Sequence, residues 1–172
     1  MDELFSQILA SSSSGVYYLA LIGSLIIPDV CAGLESSDGL TTGKRYKEWF
    51  DKWVAFKYLV GNNGEPSFSG EDAYYFRCSM LHQGITQYSK SNYSRLIFVQ
   101  PEAAKNFYLH NNRLDDALNL DIPTFCKDVV DSAFSWRTAV EHTETYKRNI
   151  EKFVRVHPNG LPPYIVGMPV IS

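Results

Sequence analysis

Apolar positions recur at helical spacing from the start of the chain. In "DELFSQILASSS" Leu4, Phe5, Ile8 and Leu9 fall on one stripe, which the serines Ser11 to Ser14 then end or bend. The next segment, from about Gly15 to Ile27, is apolar all round, the pattern of a helix at the centre of a bundle. Pro28 is expected to break it or to open a new turn through "PDVCAGLE", because proline suits the first helical position and not the interior. After the loop "SSDGLTTG", the stretch "GKRYKEWFDKWVAFKYLV" is the clearest amphipathic helix. Tyr46, Trp49, Phe50, Trp53, Val54 and Val60 recur on one side, and Lys44, Lys47, Glu48, Asp51 and Lys52 on the other. Aromatic residues at this spacing are read as core packing rather than as a ligand cage.

"GNNGEPSFSG" is a cluster of helix breakers. Ser69, with Asp72 three residues on, has the form of a capping box opening a helix that runs to about Gln83, where Gly84 ends it. The period then becomes extended: "RLIFVQ" and "NFYLH" read as short strands joined by "PEAAK", with "ALNL" as a third. From Asp121, as cap, with Pro123 in the first turn, a second helical stripe from Ile122 through Phe125, Val129, Ala133 and Val140 to Phe153 continues to about Val154, open to interruption around "EHTET". The tail, residues 157–172, holds four prolines and two glycines and reads as an extended segment lying on the bundle or projecting to a partner. These elements predict one mainly α domain over residues 1–172, a four- to five-helix bundle with a small antiparallel β insertion at about 95–120.

Composition narrows the class. With 45% apolar and 14% aromatic residues in 172, the chain has the means to bury a core, which excludes disorder over most of its length. A net charge of −3 gives no global attraction to nucleic acid or anionic lipid, so a polyanion site has to be local. No Lys or Arg precedes Lys44, whereas Lys44, Arg45, Lys47, Lys52 and Lys57 cluster after it. Cys31, Cys78 and Cys126 are dispersed, which suggests neither a disulfide framework nor a zinc site and fits a reducing cytoplasm. The run Val16 to Ile27 is too short to span a bilayer, and the acidic residues ahead of it are unlike a signal peptide, so no membrane association is expected. "HTE", His142 to Glu144, has the H-x-E of zinc deaminases without the PCxxC that completes it, and the chain has no HExxH, GxxxxGK[ST] or GxSxG. No metal or cofactor is expected.

The remaining chemistry lies in "SGEDAYYFRCSMLHQG". The spacing R-x4-H in "RCSMLH", Arg77 to His82, following an aromatic-rich helix and ending in a His-then-Gly helix end, resembles the signature of the HEPN superfamily, small helical domains many of which are metal-independent endoribonucleases. The resemblance covers Arg77 to Gly84. It implies His82 as acid or base, Arg77 as phosphate anchor, RNA as ligand, a homodimer, and a setting in bacterial toxin, abortive-infection or phage-defence systems with a cognate antitoxin or partner subunit. Many active members carry Asn, Asp or His just after the arginine, where this chain has Cys78.

A second match, Arg137 and His142 in "RTAVEH", sits within a continuous helical pattern. Residues five apart on a helix point about 140° apart, so convergence is expected only for the first pair, where the nearby helix end lets His82 turn toward Arg77. Tyr74, Tyr75 and Tyr88 are candidates for stacking on bases near the motif. The alternative reading makes His82 a helix-end residue bonded to backbone, and pairs Arg77 with Glu71, Asp72 or an acid on another helix. The protein is then a non-catalytic helical interaction module whose apolar surface and Pro-rich tail dock a partner.

Overall fold

The chain opens with α1 (Asp2–Ser13), whose buried Phe5 and Ile8 lie against α2 (Tyr17–Glu35), in a computed structural model that describes residues 1–60, 64–86, 93–101 and 108–172. Helix α2 runs straight through Pro28, contrary to expectation. A proline inside a helix costs about 3 kcal/mol through its missing N–H and its crowding of the preceding turn. Tertiary contacts outweigh that cost: Ser24, Leu25, Ile27, Cys31, Ala32 and Leu34 are all buried around the proline, and the Tyr46 hydroxyl donates to the Leu25 carbonyl at 3.1 Å. Extended to 19 residues, α2 is long and apolar enough to cross a membrane by length and composition, which the run to Ile27 was not, although more than half of it is buried inside the protein.

Helix α3 (Gly43–Trp53) starts at Thr42, whose side chain accepts from the Arg45 N–H, and ends seven residues before Val60, passing into a 3-10 turn at Ala55–Tyr58. Val60 is exposed and does not continue the aromatic stripe. Helix α4 (Gly70–Gln83) opens on the expected capping box and closes at Gly84, which takes the left-handed conformation (φ 67°) that glycine adopts without strain.

Three strands follow: β1 (Arg95–Val99), β2 (Asn112–Leu114) and β3 (Ala117–Asp121), in the order β1-β3-β2. The sheet is mixed rather than antiparallel. β2 and β3 form a hairpin with Asp115 and Asp116 between Leu114 and Ala117, Asp115 at φ 51°. β1 instead pairs in parallel with β3, Leu96 opposite Leu118 and Phe98 opposite Leu120, as the long stretch between them permits. Of the expected strand "NFYLH", Asn106 and Phe107 lie outside the described residues, and Tyr108 to His110 are not in a strand. Tyr88 also lies outside them.

Asp121 ends β3 and caps α5 (Ile122–Val140), accepting from the Thr124 N–H at 2.9 Å. The turn at residues 141–143 separates α5 from α6 (Glu144–Ile150), the interruption to which the pattern was open. The C-terminal residues form the short strands β4 (Val156–His157), β5 (Gly160–Leu161), β6 (Ile165–Val166) and β7 (Val170–Ile171). The fold is mainly α, with six α-helices among the described residues.

Helix α2 contacts α1, α3, α4, α5 and α6, which explains its all-round apolar sequence. Beside it, Phe68 joins edge to face with Phe50, Tyr58 and Phe125, and Trp136 with Trp49 and Tyr146. Two polar fastenings fix the end of α2. The Trp136 Nε1–H donates to Glu35 at 2.8 Å, and the buried Asn149 amide donates to the Leu34 and Ser36 carbonyls at 3.0 and 2.8 Å. Helices α3 and α4 meet at Gly70, where an added Cβ would stand 2.3 Å from the Lys47 carbonyl oxygen.

Gly70→Ala is therefore expected to push α3 and α4 apart at a cost of about 1–3 kcal/mol. Asn149→Ala is expected to cost about 1–3 kcal/mol by leaving buried carbonyls of α2 without a donor. Both are read as shifts of the urea midpoint at constant slope, and an unmoved midpoint contradicts the corresponding contact.

Candidate functional site

The capping box and the close contact at Gly70 set the position of α4, and with it that of Arg77, Cys78 and His82. Arg77 is half-buried. Its Nε and Nη2 both donate to Oδ2 of Asp29, at 2.9 and 2.8 Å, with the side chains 22% (Arg77) and 13% (Asp29) exposed. This fork occupies one edge of the guanidinium. The remaining nitrogen, Nη1, lies 3.8 Å from the Cys78 sulfur and 3.5 Å from Nε2 of the exposed His82.

Arg77 and His82 thus meet without any break between them, since α4 stays helical through Gln83. The expected turn of His82 at a helix end is not what joins them. The length of the arginine side chain closes the gap that helical geometry opens between positions five apart.

The electrostatics follow from the partial burial of this pair. Burial pushes the Asp29 carboxyl above its ordinary value of 3.8, and Arg77, pulling the other way, does not offset it. Burial also opposes the Arg77 charge, but there Asp29 and the Cys78 sulfur outweigh it and leave the guanidinium more basic than usual. Tyr46 and Tyr74, rings 5.5 Å apart, back the site. The Tyr74 hydroxyl is raised above its ordinary value by Cys78 first and by burial second. Lys47 adds a cation nearby, 2.9 Å from Glu71 and 4.5 Å from the centre of the Tyr75 ring.

The second match separates. Arg137 reaches across to Asp2 on α1 and lies over the Phe134 ring, while His142 is exposed in the turn after α5. Asp29 is the acid on another helix that the alternative reading left unnamed. The available signal was a lone carboxylate among the apolar residues 16–34, a position such a group seldom occupies without a cationic partner, but the expected break at Pro28 placed it outside the helix.

His110, its side chain 11% exposed, is nearly enclosed. Its Nδ1 accepts from the Asp121 N–H at 3.3 Å, its Nε2 lies 3.9 Å from Asp128, and its ring packs on Tyr58. Asp128 also receives Lys57 and the Tyr58 hydroxyl, each at 3.2 Å. Through the Nδ1 hydrogen bond and the packing on Tyr58, His110 fastens the segment before β2 to the start of α5. Among the described residues no three His, Cys, Asp or Glu side chains gather as a metal-binding group. No family model matches the chain, and no curated protein or solved structure does.

Burial lowers the His110 pKa below its ordinary 6.5, and the attraction of Asp128 and Asp121 does not reverse this. The folded protein then takes up this proton less readily than the unfolded chain. The contribution of His110 to stability is complete above pH 6.5 and is lost as pH falls from there through the folded value. His110→Gln is expected to melt at a temperature that depends less on pH between about 7.5 and 5 than the parent's does. Parallel melting curves across that range would exclude this role.

Proposed function

We propose that the protein is a HEPN-like, metal-independent endoribonuclease or RNA-binding domain that works as a homodimer. What supports this reading is the 3.5 Å approach of Arg77 Nη1 to His82 Nε2 on the exposed end of α4. A guanidinium held by a carboxylate on one edge presents the other edge to a phosphate oxygen, and an imidazole beside it is placed for proton transfer. In the reaction implied, a base takes the 2′-OH proton, the oxygen attacks phosphorus, and the bond to the 5′ oxygen breaks as that oxygen takes up a proton. The charge that builds on the phosphorane is met by Arg77. One histidine per chain supplies one of the two proton transfers, and its counterpart in the second copy supplies the other. Asp29 is a positioning residue in this scheme. The biological setting proposed, from resemblance alone, is a cytoplasmic bacterial toxin or phage-defence system with a cognate antitoxin.

One observation favours a second reading. Asp29 already neutralises Arg77, as in a helix-to-helix ion pair of a non-catalytic interaction module.

Purified protein incubated with mixed RNA in EDTA separates the two. On the cleavage reading His82→Ala lowers the rate by about 100-fold or more and leaves stability within about 0.5 kcal/mol, since the side chain is exposed. Arg77→Ala is a poorer probe because it strands Asp29, at a cost of about 1–3 kcal/mol. Arg77→Lys keeps the ion pair but loses the second edge, and is expected to lose cleavage with a smaller loss of stability. Equal cleavage by parent and His82→Ala would leave the module reading.

A further inference from the structure

Asp29 also lines a hollow of about 380 Å³, between the second half of α2, the loop before α3 and the turn after α6. Val30, Leu34, Leu40 and Phe153 form its apolar walls, and the exposed Lys152 stands at its rim. All of these segments are among the described residues. The loop that carries Leu40 is held from both sides. The Asp38 carboxylate accepts from the Leu40 N–H at 3.1 Å and from Arg45 at 2.7 Å. Arg45 also donates to the Leu40 carbonyl at 2.7 Å, and Arg148 of α6 donates to the Ser37 carbonyl at 2.8 Å. The wall that Leu40 supplies is thus set before any ligand arrives.

One oxygen of Asp29 is left over. Arg77 places both of its hydrogen bonds on Oδ2, and Oδ1 meets no donor among the described residues. Burial strips water from this carboxylate, so an N–H brought to Oδ1 by a ligand forms a charge-assisted bond that little else competes for. The walls set the rest of the ligand, which has to be small and apolar on its faces, with Phe153 to pack on. Lys152 favours an anionic group just outside. A nucleobase in a single strand combines these properties: apolar faces, N–H donors along one edge, and phosphates on either side.

We infer that this hollow seats a base of the RNA strand, and that Oδ1 of Asp29 selects a base with an amine on its pairing edge against uracil, which has none. The inference rests on the RNA reading of Arg77 and His82 and names the base preference of that site. The ion pair links the two positions. A phosphate on Arg77 Nη1 and a base on Asp29 Oδ1 lie on either side of it, in one nucleotide or in neighbours. Cytosine and adenine each bring an exocyclic amine to the carboxylate. Uracil offers its one edge N–H between two carbonyl oxygens, which the carboxylate repels. Asp29 then has a task for each oxygen: Oδ2 orients the guanidinium, and Oδ1 reads the base.

Fluorescence anisotropy of labelled oligocytidine, oligoadenosine and oligouridine of equal length, titrated with the full chain in EDTA, is the test. The protein carries His82→Ala so that no probe is consumed. Oligocytidine and oligoadenosine are expected to bind about 10-fold more tightly than oligouridine. In Asp29→Asn the amide oxygen stays with Arg77, which can only donate, and the amide nitrogen turns its N–H groups to the hollow, so oligouridine is expected to become the preferred probe. Leu40→Trp, at a position 65% exposed, fills the hollow and is expected to erase the preference with unchanged circular dichroism. It decides alone where Asp29→Asn does not fold. Equal binding of the three oligonucleotides, a preference that survives Leu40→Trp, or one that is unchanged in a folded Asp29→Asn overturns the inference and leaves the RNA reading standing. Binding to none of the three overturns both.

Discussion

A carboxylate in the middle of the most apolar helix sets the terms for the rest of the molecule. Asp29 follows Pro28 in α2 and is nearly enclosed. Leaving an ionised carboxylate there alone costs several kcal/mol, so α4 has to bring a cation to it. Arg77 does so with two donors on one oxygen, which fixes the rotation of α4 against α2 as well as the plane of the guanidinium. Because the folded pKa of Asp29 lies above 3.8, the folded state loses stability as pH rises through that value and the group ionises. An apolar pair of similar size would avoid that loss. Beyond joining two helices, the ion pair orients the guanidinium.

What it orients is the free edge of the guanidinium. Were Arg77 unpaired, its long side chain would sample many rotamers and its approach to His82 would be one of several. Held through Nε and Nη2, it leaves Nη1 turned toward Cys78 and His82. Helical spacing alone separates positions 77 and 82, and a short side chain at 77 would not reach. An arginine does, and this makes the pair compatible with an intact helix.

The features legible in the sequence are those carried by local chemistry. The capping box at Ser69 and Asp72, the stop at Gly84, the cap at Asp121 and the break before Glu144 each depend on residues within a few positions of one another. The features that were not legible depend on distant partners. Pro28 stays helical because five other helices enclose α2 and Tyr46 bonds Leu25 from 21 positions away. The parallel pairing of β1 with β3 is set by where the intervening chain returns, which no local pattern records. Asp29 was visible as an isolated charge, but its partner lies 48 positions on. The tail was legible as extended from its prolines, whereas its closure on itself as a hairpin depends on the pairing of Arg155 with Ser172.

Helix α4 carries two chemically distinct faces, the first toward an apolar hollow between α2, α4 and β1. Phe76 and Met80, four apart, lie about 40° from each other and face the hollow, while Arg77, Cys78 and His82 fall between about 100° and 240° on the same wheel. The last two turns of one helix therefore present an apolar face and a polar face side by side. In the proposed reaction a second copy that supplies the other proton transfer must approach from the face that carries His82, and not from the face of Phe76 and Met80.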